Sequence, residues 1–193
     1  MKIYLFILSL GILSLTGYGQ QTGTFTDLRD GKAYKIVKIG NQTWMAENLN
    51  YTTNNSWCYN DSIINCKTYG RLYTWSVAKN VCPTGWHLPS DEEWITLITF
   101  LGGEDSAGGK LKSIKFWGNP NTGATDSSRF SGLPGGFRYD VNAYFYLGQI
   151  GYWWTTNEYD IYAYYRYLSH KNKSFFSTFC SKEFGLSIRC IKD

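Results

Sequence analysis

The segment "CPTGWHLPSDEEW", Cys82 to Trp94, contains a Pro-Thr-Gly turn, a Trp-His pair and a run of acids. Ser90 is a preferred helix N-cap, and Glu93 three residues later completes a capping box. Asp91 and Glu92 fall in the first helical turn, where the helix dipole favours negative charge. These acids therefore predict the start of a helix, and they need no catalytic role.

The sequence predicts one helix before the Pro-Thr-Gly turn and a second helix that begins at the capping box. Pro83 and Gly85 end the first, and the pair Gly102-Gly103 ends the second. In each helix the apolar residues recur at the spacing of one helical face. The apolar positions are Leu72, Trp75, Ala78 and Cys82 in the first helix, and Trp94, Leu97, Ile98 and Leu101 in the second.

His87 invites a catalytic or metal-binding interpretation, but the sequence offers it no partners. The only other histidine is His170, far along the chain. Zinc sites need three or four clustered ligands. We therefore predict a structural His87, with no metal and no cofactor.

The first residues are typical of a secretory signal peptide. Lys2 precedes an uncharged apolar run, Ile3 to Leu15, and Gly17 and Gly19 stand where signal peptidase requires small residues. The run is shorter than the roughly 20 residues of a membrane-spanning helix. We expect residues 1–19 to be removed before Gln20, leaving residues 20–193 as a single secreted domain, in the periplasm or at the cell surface, with no membrane span.

Charge and composition narrow the possible partners. The net charge is only +4, and lysines and arginines are scattered, so nothing points to nucleic acid. Aromatic residues are unusually frequent, with 8 Trp, 16 Tyr and 11 Phe. Five cysteines in an exported chain indicate disulfides, although the sequence alone does not choose among the pairings.

The chain is otherwise rich in predicted strands. Residues 24–50 form a β-meander with turns at Asp30-Gly31 and Gly40-Asn41. Residues 50–67 are predicted to be irregular, and a core follows over 68–193. Within that core "GGEDSAGGKLKS" and "WGNPNTGATDSS" are predicted as loops, and "RFSGLPGGFRYD", "AYFYLGQIGYWWTT", "YAYYRYLSH" and "FGLSIRCIKD" as short strands.

Several segments together carry a family resemblance. They are "DGKAYKIVKIGNQTWMAENLNY", "CKTYGRLYTWSVAKNVCPTGWHLPSDEEW", "GGKLKS", "GLPGGFR", "GYWWTT" and "FGLSIRCIKD". The chain thereby resembles the Fibrobacter succinogenes major paralogous domain family, which is also widespread in the Bacteroidetes. This family is similar to the C-type lectin-like fold and to formylglycine-generating enzymes. The resemblance implies an α+β, C-type lectin-like fold with two helices, twisted antiparallel strands and long loops, preceded by the β-meander.

The resemblance also implies a disulfide. In lectin-like folds a cysteine of the first helix pairs with one in the last strand, which here are Cys82 and Cys190. We further predict that Cys58 pairs with Cys66 and closes a short polar loop. Cys180 is left over, and its phenylalanine-rich surroundings predict an unreactive thiol.

Two activities of related proteins lack their sequence signals here. Formylglycine-generating enzymes use a pair of reactive cysteines, and Cys180 alone is not a pair; nor is there a triad or nucleophile-elbow motif. Calcium-dependent lectins use carboxylate-rich triplets, whereas Asn119 to Asn121 reads "NPN". We therefore predict a protein that is not an enzyme and that binds its ligand without metal.

The remaining signal is aromatic density, since 13 of the 31 residues from Phe137 to Tyr167 are aromatic. Tyrosine combines flat apolar area with a polar tip, which suits binding surfaces. We predict a module that captures a surface glycan or a cell-envelope protein, with a role in polysaccharide capture or adhesion. The alternatives are a formylglycine-generating type of enzyme and a structural envelope subunit. The predicted ligand-binding residues are Tyr144, Tyr146, Tyr159, Tyr162, Arg138 and Arg166.

Overall fold

The computed structural model describes residues 20–141 and 143–193, and it combines helices with antiparallel sheets in the predicted α+β class. The predicted signal peptide, residues 1–19, lies outside the described residues. The strands are β1 (Thr22–Thr26), β2 (Ala33–Ile39), β3 (Gln42–Met45), β4 (Ser56–Trp57), β5 (Leu72–Tyr73), β6 (Trp86–His87), β7 (Phe137–Asp140), β8 (Ala143–Phe145), β9 (Ile150–Tyr159), β10 (Tyr162–Ser169), β11 (Phe175–Ser181) and β12 (Ile191–Lys192). The helices are α1 (Ile63–Tyr69), α2 (Trp75–Ala78), α3 (Asp91–Phe100) and α4 (Glu104–Leu111), with a 3-10 turn at Tyr59–Asp61.

The largest sheet joins the two ends of the described chain. Its strand order is β1-β2-β3-β12-β6, with β1, β2 and β3 forming an antiparallel meander. Ile191 of β12 pairs with Trp44 on one side and His87 on the other. The Cys82–Cys190 disulfide, with its Cα atoms 6.0 Å apart, ties the link between the helices to this strand. Both predicted disulfides are present, since Cys58 is bonded to Cys66.

Helix α3 begins as the opening segment predicts. The Ser90 hydroxyl accepts a hydrogen bond from the Glu93 amide, and the Glu93 carboxylate accepts one from the Ser90 amide. This reciprocal pair satisfies two of the donors that a helix start leaves open. The helix buries Trp94, Leu97 and Ile98 against the core.

The predicted first helix is wrong over most of its length. Only Trp75–Ala78 is helical, and Leu72–Tyr73 instead forms a strand with Ser56–Trp57. Tyr73 also exchanges two backbone hydrogen bonds with Leu186. These pairings with distant segments outweigh the helical spacing of the apolar residues, because strand pairing can use the same apolar side chains.

Two helices lie where the sequence predicted irregular chain, so the described residues contain four helices and not two. Helix α1 falls inside the segment 50–67 and extends to Tyr69, and α4 falls in the glycine-rich segment. The glycines of α4 permit close packing: a Cβ at Gly108 would lie 2.4 Å from the Ser174 carbonyl oxygen. Glycine there indicates a close backbone contact and not a loop.

The site depends on a second sheet, ordered β11-β10-β9. Strand β11 was not predicted from the sequence. One face of this sheet covers the core through Trp153, Leu168 and Phe175. Its other face carries Tyr152, Tyr165 and Tyr167, and the β7–β8 hairpin lies beside it.

Candidate functional site

A continuous run of aromatic rings extends from the β9–β11 sheet onto the β7–β8 hairpin. Successive strand residues point to opposite faces, so Tyr165 and Tyr167 share one face while Arg166 turns into the core. Neighbouring rings in this run have centroids between 4.9 and 6.4 Å apart. We call it the aromatic face, and its members are Phe137, Tyr139, Phe145, Tyr146, Tyr152, Tyr165, Tyr167, Phe176 and Phe184.

The aromatic face contains a pocket of about 240 Å³ between the hairpin and the sheet. Tyr152 and Leu186 are buried within it, while Tyr146 is 48% exposed. Ligand sites are commonly concave and lined by aromatic side chains with a few polar groups. The residues lining the pocket are Phe137, Tyr146, Tyr152, Tyr165, Cys180, Phe184 and Leu186.

The polar groups of the pocket are hydroxyls and one thiol. Burial raises the pKa of Tyr165 to about 12, so its hydroxyl stays neutral and both donates and accepts hydrogen bonds. Burial likewise raises the pKa of Cys180 to about 12, which keeps the sulfur protonated. Because the lining residues include no carboxylate, amine or imidazole, the pocket suits an uncharged surface that is partly apolar.

Of the six predicted ligand residues, Tyr146 alone lines this pocket. Arg138 and Tyr144 pair across the β7–β8 hairpin on its opposite side. The Arg138 guanidinium stacks 3.9 Å from the Trp57 ring centroid, and the Tyr144 hydroxyl donates a hydrogen bond of 2.8 Å to Asp61. We call this second group, with Tyr59 packed against Tyr144, the Arg138 cluster.

The Arg138 cluster is held by the Cys58–Cys66 disulfide, whose Cα atoms are 4.9 Å apart. Trp57 and Tyr59 flank Cys58, so the bond fixes the segment that carries both rings. Burial and the hydrogen bond to Asp61 raise the pKa of Tyr144 to about 12. The phenol is therefore neutral at physiological pH and links the carboxylate to the neighbouring guanidinium.

Tyr159 and Tyr162 occupy the tip of the β9–β10 hairpin, where they pair directly. Tyr159 is 66% exposed, and the ring of Tyr162 packs 5.5 Å from that of Phe179. The Lys182 ammonium closes this tip by donating to the Asp160 carbonyl. Neither tyrosine lines the pocket.

Arg166 lies in the core, away from the aromatic face. It is 2% exposed, and its guanidinium donates hydrogen bonds of 2.7 and 2.8 Å to the two carboxylate oxygens of Asp91. This bidentate pair connects β10 to the first turn of α3. Arg166 therefore forms a structural ion pair with Asp91.

The sequence reasoning missed most of the pocket. Alternation within β10 is a signal that would have grouped Tyr165 with Tyr167 and separated them from Arg166. Phe184 and Leu186 lie beyond the aromatic-rich segment, and only the tertiary structure brings them to Phe137. No local pattern marks these two residues as part of a site.

His87, the candidate of the opening segment, is held between two carboxylates. Its Nε2 lies 2.8 Å from Glu93 and its Nδ1 lies 2.6 Å from Asp193. Burial acts to lower the pKa of His87, but the hydrogen bonds to Asp193 and Glu93 outweigh it and hold the pKa above its usual value. The contacts join α3 to the residue after β12.

Residues 20–141 and 143–193 contain neither a candidate group of metal ligands nor a helix suited to crossing a membrane. In this part of the chain no three His, Cys, Asp or Glu residues are grouped so as to hold a metal ion. Near Asn121 a buried ammonium, that of Lys112, donates to three carbonyls, those of Thr122, Ser169 and Asn172. None of the helices described there has both the length and the apolar character needed to span a bilayer.

The fold and the site define a disulfide-bonded α+β protein with an aromatic pocket beside its second sheet. The sequence model of the Fibrobacter succinogenes major domain matches residues 37–192, and the chain belongs to that family. No curated protein and no solved structure matches the chain.

Proposed function

We propose that this protein is a secreted, non-catalytic binding module that captures a surface glycan through the aromatic face. The observation that carries the proposal is the pocket of about 240 Å³ whose walls are aromatic rings and whose rim is exposed. The electron-rich face of an aromatic ring attracts the C–H bonds of a sugar ring, and flat sugar faces match flat side chains. Tyrosine hydroxyls at the same site supply hydrogen bonds to sugar hydroxyls.

The distribution of exposure also supports binding. Tyr139, Phe145 and Tyr146 are each about half exposed, with exposed fractions of 54%, 45% and 48%. Contiguous apolar patches on a protein surface commonly mark sites of interaction. Phe137 packs against Phe145 and Tyr146, and Phe184 packs against Tyr139. Because the three exposed rings are held in this way, they lose little entropy on binding.

The proposal includes a divergent C-type lectin-like fold. The Cys82–Cys190 disulfide joins the link before α3 to the last strand, as the resemblance implies for such folds. The proposal also includes export of the protein and removal of residues 1–19. The two disulfides support export, because disulfides persist in oxidising compartments. N-terminal mass spectrometry of the exported protein tests this, and a mature chain that still begins at Met1 contradicts it.

The enzyme alternative finds little support in the cysteines. Four of the five form disulfides, and Cys180 is left with its thiol protonated in an aromatic pocket. A formylglycine-generating mechanism of the expected type uses two reactive thiols, so the proposal does not include catalysis.

A binding array of glycans and envelope proteins, probed with residues 20–193, tests the function. We expect glycan binding that persists with chelator and that Tyr146→Ala weakens about five- to thirtyfold, the effect of losing about 1–2 kcal/mol. Tyr159→Ala, which removes an exposed tyrosine ring outside the pocket at the hairpin tip, is the matched control and retains affinity. Binding of an envelope protein alone, abolition by chelator, or equal loss in both variants contradicts the proposal.

A further inference from the structure

Arg138 differs from the other buried arginines in having no carboxylate, amide or carbonyl acceptor, since the acceptor beside it is the neutral hydroxyl of Tyr144. Arg166 is neutralised by Asp91, and Arg189 donates to Asn48 and to two carbonyl oxygens. Arg138 is only 9% exposed, yet its Nε is buried with no hydrogen-bond partner among the described residues. In the same part of the chain no carboxylate lies within ion-pair distance of its guanidinium.

The packing around Arg138 fixes its guanidinium in place. One face is stacked on Trp57, and Gly185 makes room for both side chains, since a Cβ there would lie 3.0 Å from the Arg138 Cβ. On the hairpin side the Tyr144 hydroxyl donates to Asp61, and its oxygen is a neutral acceptor for the Arg138 guanidinium. A partly desolvated cation with an unpaired Nε and no charged acceptor is unfavourable, and an anionic ligand reduces that penalty.

We propose that the Arg138 cluster is a binding subsite for a sugar acid, in which Arg138 pairs with the carboxylate of a uronic acid residue in an anionic glycan. The inference rests on the proposed glycan-binding function and adds the charge of the ligand to it. The guanidinium presents paired donors that match the two oxygens of a carboxylate.

Asp61 is the reason for choosing a sugar acid over a simple anion. Its carboxylate is exposed and accepts from the Tyr144 hydroxyl, which also adjoins the Arg138 guanidinium, so Asp61 is available to accept hydrogen bonds from ligand hydroxyls. A sugar acid offers one carboxylate for Arg138 and adjacent hydroxyls for Asp61. A phosphate offers no such donors and carries more negative charge toward Asp61, which repels it.

The subsite is separable from the aromatic pocket. Arg138 follows Phe137 on β7, and successive side chains of a strand point to opposite faces. Phe137 lines the pocket while Arg138 faces Trp57 on the other side. Substitutions in the two places therefore report on two different parts of a ligand.

Calorimetric titration with an oligogalacturonate and with its methyl ester tests the inference, because the ester replaces each carboxylate by a neutral group and leaves the sugar rings and their hydroxyls unchanged. We expect the wild-type protein to prefer the acid. Arg138→Met weakens binding of the acid about ten- to hundredfold, the range for lost hydrogen bonds to a charged group. Binding of the ester changes less than about threefold, because it depends on the rings.

Arg129→Met is the matched control, since it removes the same charge from an exposed arginine. We expect it to change either affinity less than about threefold at physiological salt. Arg138→Lys keeps the positive charge but loses the paired donors of the guanidinium, so we expect it to bind the acid with intermediate affinity. If circular dichroism shows that Arg138→Met does not fold, Arg138→Lys replaces it as the test of the subsite.

The results separate this inference from the proposed function. If Arg138→Met loses binding of the acid, the subsite is supported. If Tyr146→Ala leaves the binding of both probes unchanged, a role of the aromatic pocket is contradicted. Equal affinity of the wild-type protein for acid and ester, binding of neither, or equal weakening of both by Arg138→Met overturns the subsite. So does a loss of acid binding in Arg129→Met as large as that in Arg138→Met.

Discussion

The Tyr144 hydroxyl donates a hydrogen bond of 2.8 Å to Asp61, and this contact joins the β7–β8 hairpin to the segment closed by the Cys58–Cys66 disulfide. The two residues are 83 positions apart in sequence. Asp61 has a backbone φ of 51°, in the left-handed region that few residues other than glycine adopt. The contact between Asp61 and Tyr144 thus connects the hairpin, which carries exposed rings, to the segment that carries Trp57 and Tyr59.

Tyr144→Phe is expected to destabilise the protein by about 0.5–1.5 kcal/mol, because it removes one hydrogen bond to a charged acceptor near the surface. Urea unfolding followed by fluorescence measures this change. Tyr159→Phe removes a hydroxyl from the exposed hairpin tip and should leave the unfolding free energy unchanged. Equal effects of both substitutions would mean that the contact with Asp61 contributes nothing.

The two disulfides should differ in their effect on stability. The Cys82–Cys190 bond spans 108 residues and the Cys58–Cys66 bond spans 8. The chain-entropy relation gives about 5 kcal/mol for the longer loop and about 2.5 kcal/mol for the shorter. Guanidinium unfolding of the two double Cys→Ala variants compares them, and a larger loss in the variant without Cys58 and Cys66 would contradict the expected order.

Lys112→Met is expected to cost about 2–4 kcal/mol, since the fully buried ammonium satisfies three carbonyl oxygens that methionine leaves unpaired. Thermal and urea unfolding report the change. Lys110→Met is the control, because the exposed Lys110 donates to the single carbonyl of Leu101. A cost for Lys112→Met no greater than that of the control would show that the three bonds do not stabilise the fold.

His87 should make stability depend on pH. Its folded pKa is raised by Asp193 and Glu93, so the protonated imidazole stabilises the folded state fully below about pH 6.5, the unfolded value. That contribution is lost as the pH rises through the folded pKa. Because His87 is 42% exposed at its side chain, we expect less than about 1 kcal/mol.

Urea unfolding between pH 5 and pH 9 measures this dependence. His87→Gln should flatten the profile above about pH 6, whereas His170→Gln should retain the slope of the wild type. A slope that survives in His87→Gln, or stability that rises over this interval through His87, would contradict the assignment.

Cys180 should react slowly with thiol reagents at pH 8. Burial raises its pKa to about 12, so the thiolate that reacts is scarce. We expect the native protein to react at least about a hundredfold more slowly than the unfolded protein, whose thiol has a pKa near 8.5. Native and unfolded rates within a few-fold of each other would show that the pocket leaves Cys180 open.

Contacts between residues close in sequence could be predicted from local sequence patterns, whereas contacts between distant residues could not. The capping box of Ser90 and Glu93 was predictable, because both partners lie within one helical turn. The aromatic density of the segment from Phe137 to Tyr167 was also visible, and this segment contains four of the seven residues that line the pocket. The Cys82–Cys190 disulfide followed from the family resemblance, whereas Cys58–Cys66 was predicted because the two cysteines are close in sequence and bracket a short polar loop.

Tertiary structure alone decided which of those aromatic residues form a site. Arg166 is drawn into the core by Asp91, 75 positions away, and Phe184 reaches the pocket from outside the aromatic-rich segment. Gly108 and Gly109 are required in helix α4 because the backbone of residues 173–174 packs against Gly108 and that of Gly123 packs against Gly109. A sequence pattern reports the neighbours along one helix or strand, whereas ion pairs, close packing and sheet pairing depend on residues that only the folded chain brings together.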